Sequence, residues 1–117
     1  MAGDSVSQLL AAARDALDGA LSLPASRCTR AAALFARSAL ESLVDDAVER
    51  RDPGACRASM RVKLICLATL DADIGRPASW AWHALSETCH QHAYELTPTT
   101  VEIMDLLGQV RLLAARI

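Results

Sequence analysis

Polar side chains that could carry chemistry are concentrated in one stretch of the last third of the chain. Four of them are His83, Glu87, His90 and Tyr94, and His92 lies on the opposite shoulder of the same segment. Steps of four, three and four residues put those four on one stripe of a helix, because each residue advances the helix by about 100°. The spacing therefore predicts a polar helical stripe beside an apolar face.

A metal site is one chemistry that this stripe suggests. Glu87 and His90 have the Glu-x-x-His spacing of carboxylate-bridged di-iron bundles. That design needs a second such pair and two further glutamates facing it, and no other segment supplies them. We therefore expect no metal and no cofactor. The favoured interpretation is that these histidines hydrogen-bond across a helical bundle.

A second polar group follows another predicted helix. Arg37, Glu41 and Asp45 are stacked by single turns at the edge of its apolar face. Arg37 lies between apolar neighbours, so we expect it to be partly buried and to need a carboxylate partner. Glu41 is the nearest candidate, which predicts a structural ion pair. The alternative is that Arg37 faces a ligand phosphate or the histidine stripe.

Aromatic and basic residues provide weaker signals for binding. Trp80 and Trp82 project to different sides of their helix, so one core cannot bury both. Trp80 is the better candidate for an interface or a stacking platform. Arg57 and Arg61 stack on one helix face with Lys63 nearby, and could contact a phosphate backbone. Scattered cations among many acids are more typical of a solvated face.

The elements that position these residues are predicted to be helices. Hydrophobic residues make up 52% of the 117 residues and aromatic residues only 3%. A core built from Leu and Ala favours helices, because these two residues have the highest helix propensities. No alternating apolar and polar stretch bounded by turn dipeptides indicates a strand. The length suits one domain, spanning residues 1–117.

Helix boundaries are predicted from capping residues and prolines. Asp4 or Ser5, with Gln8, is expected to cap a first helix that ends before Pro24. A capping box formed by Thr99 and Glu102 is expected at the start of the last helix. The later helices are predicted at about 26–51, 53–70, 77–96 and after Thr99, with 71–77 as a turn.

Short connections between long helices favour antiparallel neighbours. The predicted architecture is therefore all-α, an antiparallel up-and-down bundle of four principal helices plus a fifth. The third predicted helix is apolar on two sides, with Leu64 and Leu67 on one and Val62 and Ile65 on the other. Such a helix is central in its bundle or packs its second face on another chain, which predicts a homodimer.

Charge and cysteine usage narrow the partners and the compartment. Twelve basic and fourteen acidic residues give a formal net charge of −2, which does not favour binding to duplex DNA. The four cysteines include no pair at the two-residue spacing of zinc or thioredoxin-like motifs, so we expect inert thiols in a reducing compartment. No apolar run is long enough to span a bilayer, and the first residues do not read as a signal peptide. A cytoplasmic protein without membrane contact is expected.

The span from about 27 to 116 resembles the HEPN superfamily, small helical domains of prokaryotic toxin–antitoxin and phage-defence systems. Its pattern is carried by RAAALFARSALE at 30–41, SMRVKL at 59–64, WHALS at 82–86 and CHQHAYELTPT at 89–99. The last stretch looks like the signature of a compact stand-alone HEPN-like family. The resemblance implies a helical bundle that commonly homodimerises and whose active members cleave RNA without a metal.

Active members carry an Arg followed, after four to six residues, by a His, and the two motifs of a dimer meet in one cleft. Arg76 and His83 fit this spacing. Pro77 follows Arg76 directly, where active members usually carry a polar residue. We therefore expect a non-catalytic module that binds RNA, a nucleotide or a protein. The alternative is a ribonuclease in which His83 moves the proton and Arg76 contacts the phosphate, or in which His90 and Tyr94 replace them.

Overall fold

The computed structural model describes residues 2–20, 22–55, 57–90 and 99–117, and the side chains within these ranges except those of residues 2–4 and 26. These ranges form helices and contain no strand, which confirms the all-helical prediction. The elements are α1 (Ala2–Leu17), α2 (Ala25–Arg51), a short 3₁₀ turn (Pro53–Ala55), α3 (Met60–Leu70), α4 (Ala72–Cys89) and α5 (Thr100–Arg116). No helix in the described part of the chain is long and apolar enough to cross a membrane.

The longest helix, α2, lies at the centre and packs against each of the other four helices. Alanines dominate its buried surface, and small side chains let neighbouring helices approach its backbone closely. Helix α1 packs along α2 through residues spaced by three or four positions. The buried residues of these two helices include Val6, Leu10, Ala13, Ala16, Ala32, Ala36, Leu40, Val44, Ala47 and Val48.

The predicted cap of α1 is wrong. The helix begins at Ala2, so Ser5 lies within it and does not form a capping box with Gln8. Pro24 does mark the start of the next helix: it is the N-cap residue of α2, in an extended conformation. No side chain caps that end of α2.

The start of α3 also differs from the prediction. Residues Pro53–Ala55 form only a 3₁₀ turn, and the helix begins at Met60. Ser59 caps it, because its hydroxyl oxygen accepts a hydrogen bond from the Val62 N–H at 3.3 Å. A local hydroxyl cap therefore sets the beginning of α3, in place of the proline that the sequence favoured.

Residues 72–77 are helical, so the predicted turn is reduced to Asp71, the single residue between α3 and α4. Pro77 therefore lies inside α4, although it has no N–H to continue the helical ladder. Burial of Ile74 and Gly75 against α3 compensates. A Cβ atom on Gly75 would overlap the backbone of Leu67 and Ala68, so only glycine permits this close crossing.

Helix α5 matches its prediction most closely. The Thr99 hydroxyl accepts from the Glu102 N–H, and the Glu102 carboxylate accepts from the Thr99 N–H, both at 3.2 Å. This confirms the predicted capping box. The periodicity after Thr99 predicts one buried stripe of Ile103, Leu106, Leu107, Val110, Leu113 and Ile117. All of these are buried except Ile117, which is partly buried.

Candidate functional site

A polar cluster joins α2 to α4 and contains three of the residues singled out in the sequence. Arg37 Nε donates to Glu41 Oε1 at 2.9 Å, one turn apart on α2. Both side chains are partly buried, with about a quarter of Arg37 and a third of Glu41 exposed. The predicted ion pair is confirmed.

Trp82 on α4 completes this pair and was placed in the core by its sequence pattern. Its indole N–H donates to the same Glu41 oxygen at 3.2 Å. The guanidinium carbon of Arg37 lies 5.4 Å from the centre of the Trp82 ring, within the range of a cation–π contact. The contact between Trp82 and Glu41 could have been predicted from the sequence. A buried indole N–H needs an acceptor, and Glu41 is the acid nearest the apolar face of its helix.

His90 brings the histidine stripe to the same cluster. Its Nε2 lies 3.5 Å from Arg37 Nη1, at the long limit of a hydrogen bond. A guanidinium only donates, so this contact requires the tautomer with its proton on Nδ1. The His90 N–H also donates to the Ser86 carbonyl at the end of α4. The alternative expectation, that Arg37 faces the histidine stripe, thus holds together with the ion pair.

Cys89 is the half-buried thiol next to His90. Burial raises the pKa of the Cys89 thiol, and the nearby Arg37 guanidinium opposes that rise without cancelling it. The thiol is therefore protonated at neutral pH and is a poor nucleophile. One turn earlier, Ser86 Oγ is buried without a hydrogen-bond partner in the described part of the chain.

Arg76 and His83, the predicted catalytic pair, lie on the solvent-facing side of α4. They are seven positions apart, which places them on the same face of α4 with their backbones about 10 Å apart along the axis. The His83 ring packs edge-on against Trp82 with ring centres 5.2 Å apart. Glu87 is exposed on the same side. Tyr94 and His92 lie outside the described residues.

Trp80 is 60% exposed and borders a shallow groove between α4 and α5. The α5 side of this groove carries several apolar residues that the sequence reasoning did not select. The sequence does contain a sign of this surface, because these residues are apolar although they lie outside the buried stripe of α5. The groove is lined by Trp80, Met104, Asp105, Gly108, Gln109, Arg111 and Leu112.

The two apolar sides of α3 have different environments: Leu64 and Leu67 are buried, as predicted, whereas the opposite side is exposed. Lys63 is buried, not solvated, and its Nζ donates to Asp45 Oδ1 on α2 at 2.7 Å. Val62 and Ile65 are exposed, and we call these two residues the outer α3 face. Arg61 is exposed on α3, and Arg57 is exposed before the helix begins, so the two do not stack on one helix face as predicted.

The described residues contain no group of three or more side chains able to hold a metal ion. No protein-family model matches the chain, and no curated protein or solved structure is significantly similar to it. Its function has to be inferred from the chemistry of the cluster and the shape of the exposed surface.

Proposed function

We propose that this chain is a HEPN-like binding module of the toxin–antitoxin or phage-defence type. In this proposal it is cytoplasmic, folds as an antiparallel up-and-down bundle with a fifth helix, and works as a homodimer without catalysis. The observation that carries the proposal is the exposed apolar surface of α3, α4 and α5. Its members are Val62, Ile65, Leu70, Trp80, Val101, Met104 and Leu112, each more than a third exposed.

A contiguous exposed apolar patch marks a contact surface, whereas single exposed apolar side chains are ordinary. Trp80, Met104 and Leu112 border one groove. Two of the nine large exposed apolar residues in the described ranges lie elsewhere, Leu23 and Leu34. The concentration on three neighbouring elements therefore favours a contact surface. Among RNA, a nucleotide and a protein, a protein partner suits an apolar surface on a chain with a net charge of −2.

The polar cluster supports a structural role more than a catalytic one. Arg37 donates its Nε–H to Glu41 and lies against the Trp82 ring, so its charge is already partly compensated within the fold. Cys89 is held as a neutral thiol by burial. These contacts tie α4 to α2 and thereby fix the helix that carries Trp80 and His83.

Charge also indicates which partner fits the outer α3 face. Helix α3 contains Arg61 and Lys63 and no acidic residue, and Lys63 is occupied by Asp45. Arg61 remains exposed on the same helix as Val62 and Ile65. A partner protein that combines apolar and acidic side chains is complementary to this face.

Partner capture with matched variants tests this function. We expect a protein partner, cross-linked in native cells, to be lost from the double variant Val62→Asp/Ile65→Asp. It should be retained by Leu34→Asp, which alters a residue of similar exposure on α2. Labelled single-stranded RNA should show no binding at micromolar protein. Retention of the partner by the double variant, or tight RNA binding, would reject the protein-binding proposal.

The alternative proposal is a metal-independent ribonuclease using Arg76 and His83 across a homodimer cleft. Two observations favour it: both side chains are exposed on one side of α4, and Arg37 contacts another histidine of this helix region, His90. Proton transfer by His and charge stabilisation by Arg are what such cleavage requires.

RNA digestion in EDTA separates this alternative from the binding module. A ribonuclease would give products with cyclic-phosphate ends, and loss of its base would lower the rate by roughly 10²–10⁴. His83→Ala and His90→Ala should be compared, because each removes one candidate base. Activity lost only in His90→Ala would move the chemistry to the Arg37 cluster, and the absence of any cleavage would reject the alternative.

A further inference from the structure

The two ends of α3 are held to the rest of the fold in different ways. At the C-terminal end, Asp71 is the single residue before α4, and its carboxylate accepts from Arg51 of α2 at 3.4 Å. Gly75 of α4 lies so close to α3 that a Cβ atom there would overlap the backbone of Leu67 and Ala68. The short connection, the ion pair and the close crossing together fix this end of the helix.

The first half of α3, residues 60–65, has fewer contacts that hold it. Leu64 is its one buried apolar residue, and Met60 is partly buried beside the core. Its other apolar residues form the outer α3 face and are exposed. In the segment 53–58, the described backbone hydrogen bonds join residues three positions apart, so they do not tie the start of α3 to another helix. Segments with few buried apolar contacts are those that open locally.

The ion pair of Lys63 with Asp45 holds this half of α3 on α2. In the described ranges it is the only side-chain hydrogen bond from residues 60–65 to another helix, with Nζ and Oδ1 2.7 Å apart. The Lys63 side chain is 11% exposed and that of Asp45 is 50% exposed. A buried ammonium needs a counter-charge, so the pair opposes separation of α3 from α2. Because Asp45 is half exposed, a carboxylate from another molecule can approach the same ammonium from solvent.

We propose that this ion pair is a latch: residues 60–65 open from α2 as a unit when it breaks, and an acidic side chain of the partner protein then replaces Asp45 on Lys63. The exchange of carboxylates rests on the proposed function, whereas the opening rests on the contacts of α3 alone. Val62 and Ile65 lie within two residues of Lys63, so a partner that covers the outer α3 face brings its acids to the latch. Since the ammonium is paired before and after the exchange, mainly the burial of Leu64 opposes it.

Hydrogen exchange measured for single amides by NMR tests the opening. The amides of Leu64 and Ile65 donate to carbonyls four residues earlier, in the first turn of α3. We expect Asp45→Asn to speed their exchange about tenfold, because the closed state alone loses the ion pair. Glu41→Ala is the control, since it weakens the contact of α2 with α4. It should leave these two amides unchanged, because local opening of α3 keeps Glu41 bound to Trp82.

A reference amide in the core makes this comparison decisive. Val110 lies in the buried stripe of α5, so its amide reports unfolding of the whole molecule and should exchange faster in both variants. Equal acceleration of Leu64 and Ile65 by Asp45→Asn and by Glu41→Ala would show that they open only with the whole molecule, and would overturn the latch. Unchanged exchange of the two amides in Asp45→Asn would overturn it as well.

The partner protein captured with the wild-type chain tests the exchange of carboxylates. Asp45→Asn removes the competing acid and should raise the partner's affinity about tenfold, by the same factor as the opening. Lys63→Met should lower the affinity, because the partner's acid then finds no cation. Asp46→Asn is the charge-matched control, since Asp46 lines a groove between α1, α2 and α5 and makes no ion pair in the described ranges. Its affinity should equal that of the wild type.

The outcomes separate the latch from the proposed function. An unchanged or lower affinity in Asp45→Asn, or an unchanged affinity in Lys63→Met, would overturn the exchange of carboxylates and leave the partner site in place. Retention of the partner by Val62→Asp/Ile65→Asp would instead reject the protein-binding proposal. The local opening of residues 60–65 would then stand or fall on the hydrogen-exchange rates alone.

Discussion

The Arg37 guanidinium lies 5.4 Å from the centre of the Trp82 ring, and both side chains donate to one oxygen of Glu41. Two helices are thus joined through a single carboxylate oxygen at the edge of the core. The arrangement satisfies a cation and an indole N–H that would otherwise be partly buried without partners. It fixes α4, and with it Trp80 and His83, relative to α2.

Removal of the Glu41 carboxylate should destabilise the fold more than loss of an exposed acid. We expect Glu41→Ala to lower the free energy of unfolding by about 1–2 kcal/mol, because Arg37 and Trp82 both lose their acceptor. Glu41→Gln should lose less, since an amide oxygen can still accept from Trp82. Urea unfolding followed by circular dichroism measures both values. The control is Glu87→Ala, which should stay within about 0.5 kcal/mol of wild type. Equal losses in Glu41→Ala and Glu87→Ala would contradict a bridging role for the carboxylate.

Replacing each of two helical glycines with alanine should change the free energy of unfolding in opposite directions. Gly75→Ala places a Cβ atom on the backbone of Leu67 and Ala68, so the α3–α4 crossing must open. We expect a loss of about 1–3 kcal/mol or more. Gly108→Ala meets nothing within one chain and should stabilise dilute monomer by about 0.5–1 kcal/mol through helix propensity. A stable, unchanged Gly75→Ala variant would show that α3 and α4 do not cross so closely.

The ion pair between Lys63 and Asp45 should matter more than a surface pair. Lys63 is the buried partner and Asp45 is half exposed, so solvent moderates the effect. We expect Asp45→Asn to cost about 1–2 kcal/mol, because the Lys63 ammonium loses its counter-charge. Lys63→Met, which keeps the buried stem, should cost less. The comparison uses thermal and urea unfolding at two salt concentrations, and a larger loss in Lys63→Met than in Asp45→Asn would contradict this account.

The reactivity of Cys89 should reveal the balance between burial and charge. Burial raises the pKa of its thiol, so the thiolate becomes the major form only above the ordinary pKa of a cysteine, 9.0. The rate of alkylation by iodoacetamide, followed by peptide mass spectrometry, should therefore rise with pH to a midpoint above that of a model thiol. Because Arg37 lowers the pKa, Arg37→Met should move the midpoint still higher. A midpoint below 9.0 in the wild type would show that the guanidinium outweighs burial.

Features determined by local sequence were predicted well. The buried stripe of α5 and its capping box at Thr99 depend on residues within one or two turns of each other. The pair of Arg37 and Glu41 is also local, because residues four apart on a helix are neighbours whatever surrounds them. The all-helical class followed from composition and periodicity for the same reason.

Boundaries and distant contacts were predicted poorly. Helix α4 begins at Ala72, and Gly75 in its first turn lies against the backbone of Leu67 and Ala68 on α3, an interaction that the pattern around Pro77 does not contain. Lys63 was expected in solvent, but Asp45 lies eighteen residues away on another helix. Trp82 and His90 reach Arg37 only because α4 crosses α2 there.

The sequence alone determined that this protein is helical, which residues face its core and which acid pairs with Arg37, because those properties arise from neighbours along one helix. The tertiary structure decided that Glu41 also binds Trp82 and that Val101, Met104 and Leu112 of α5 are left exposed. Each of these depends on where separate helices cross, and the free energy of such crossings is set by packing between residues far apart in the chain.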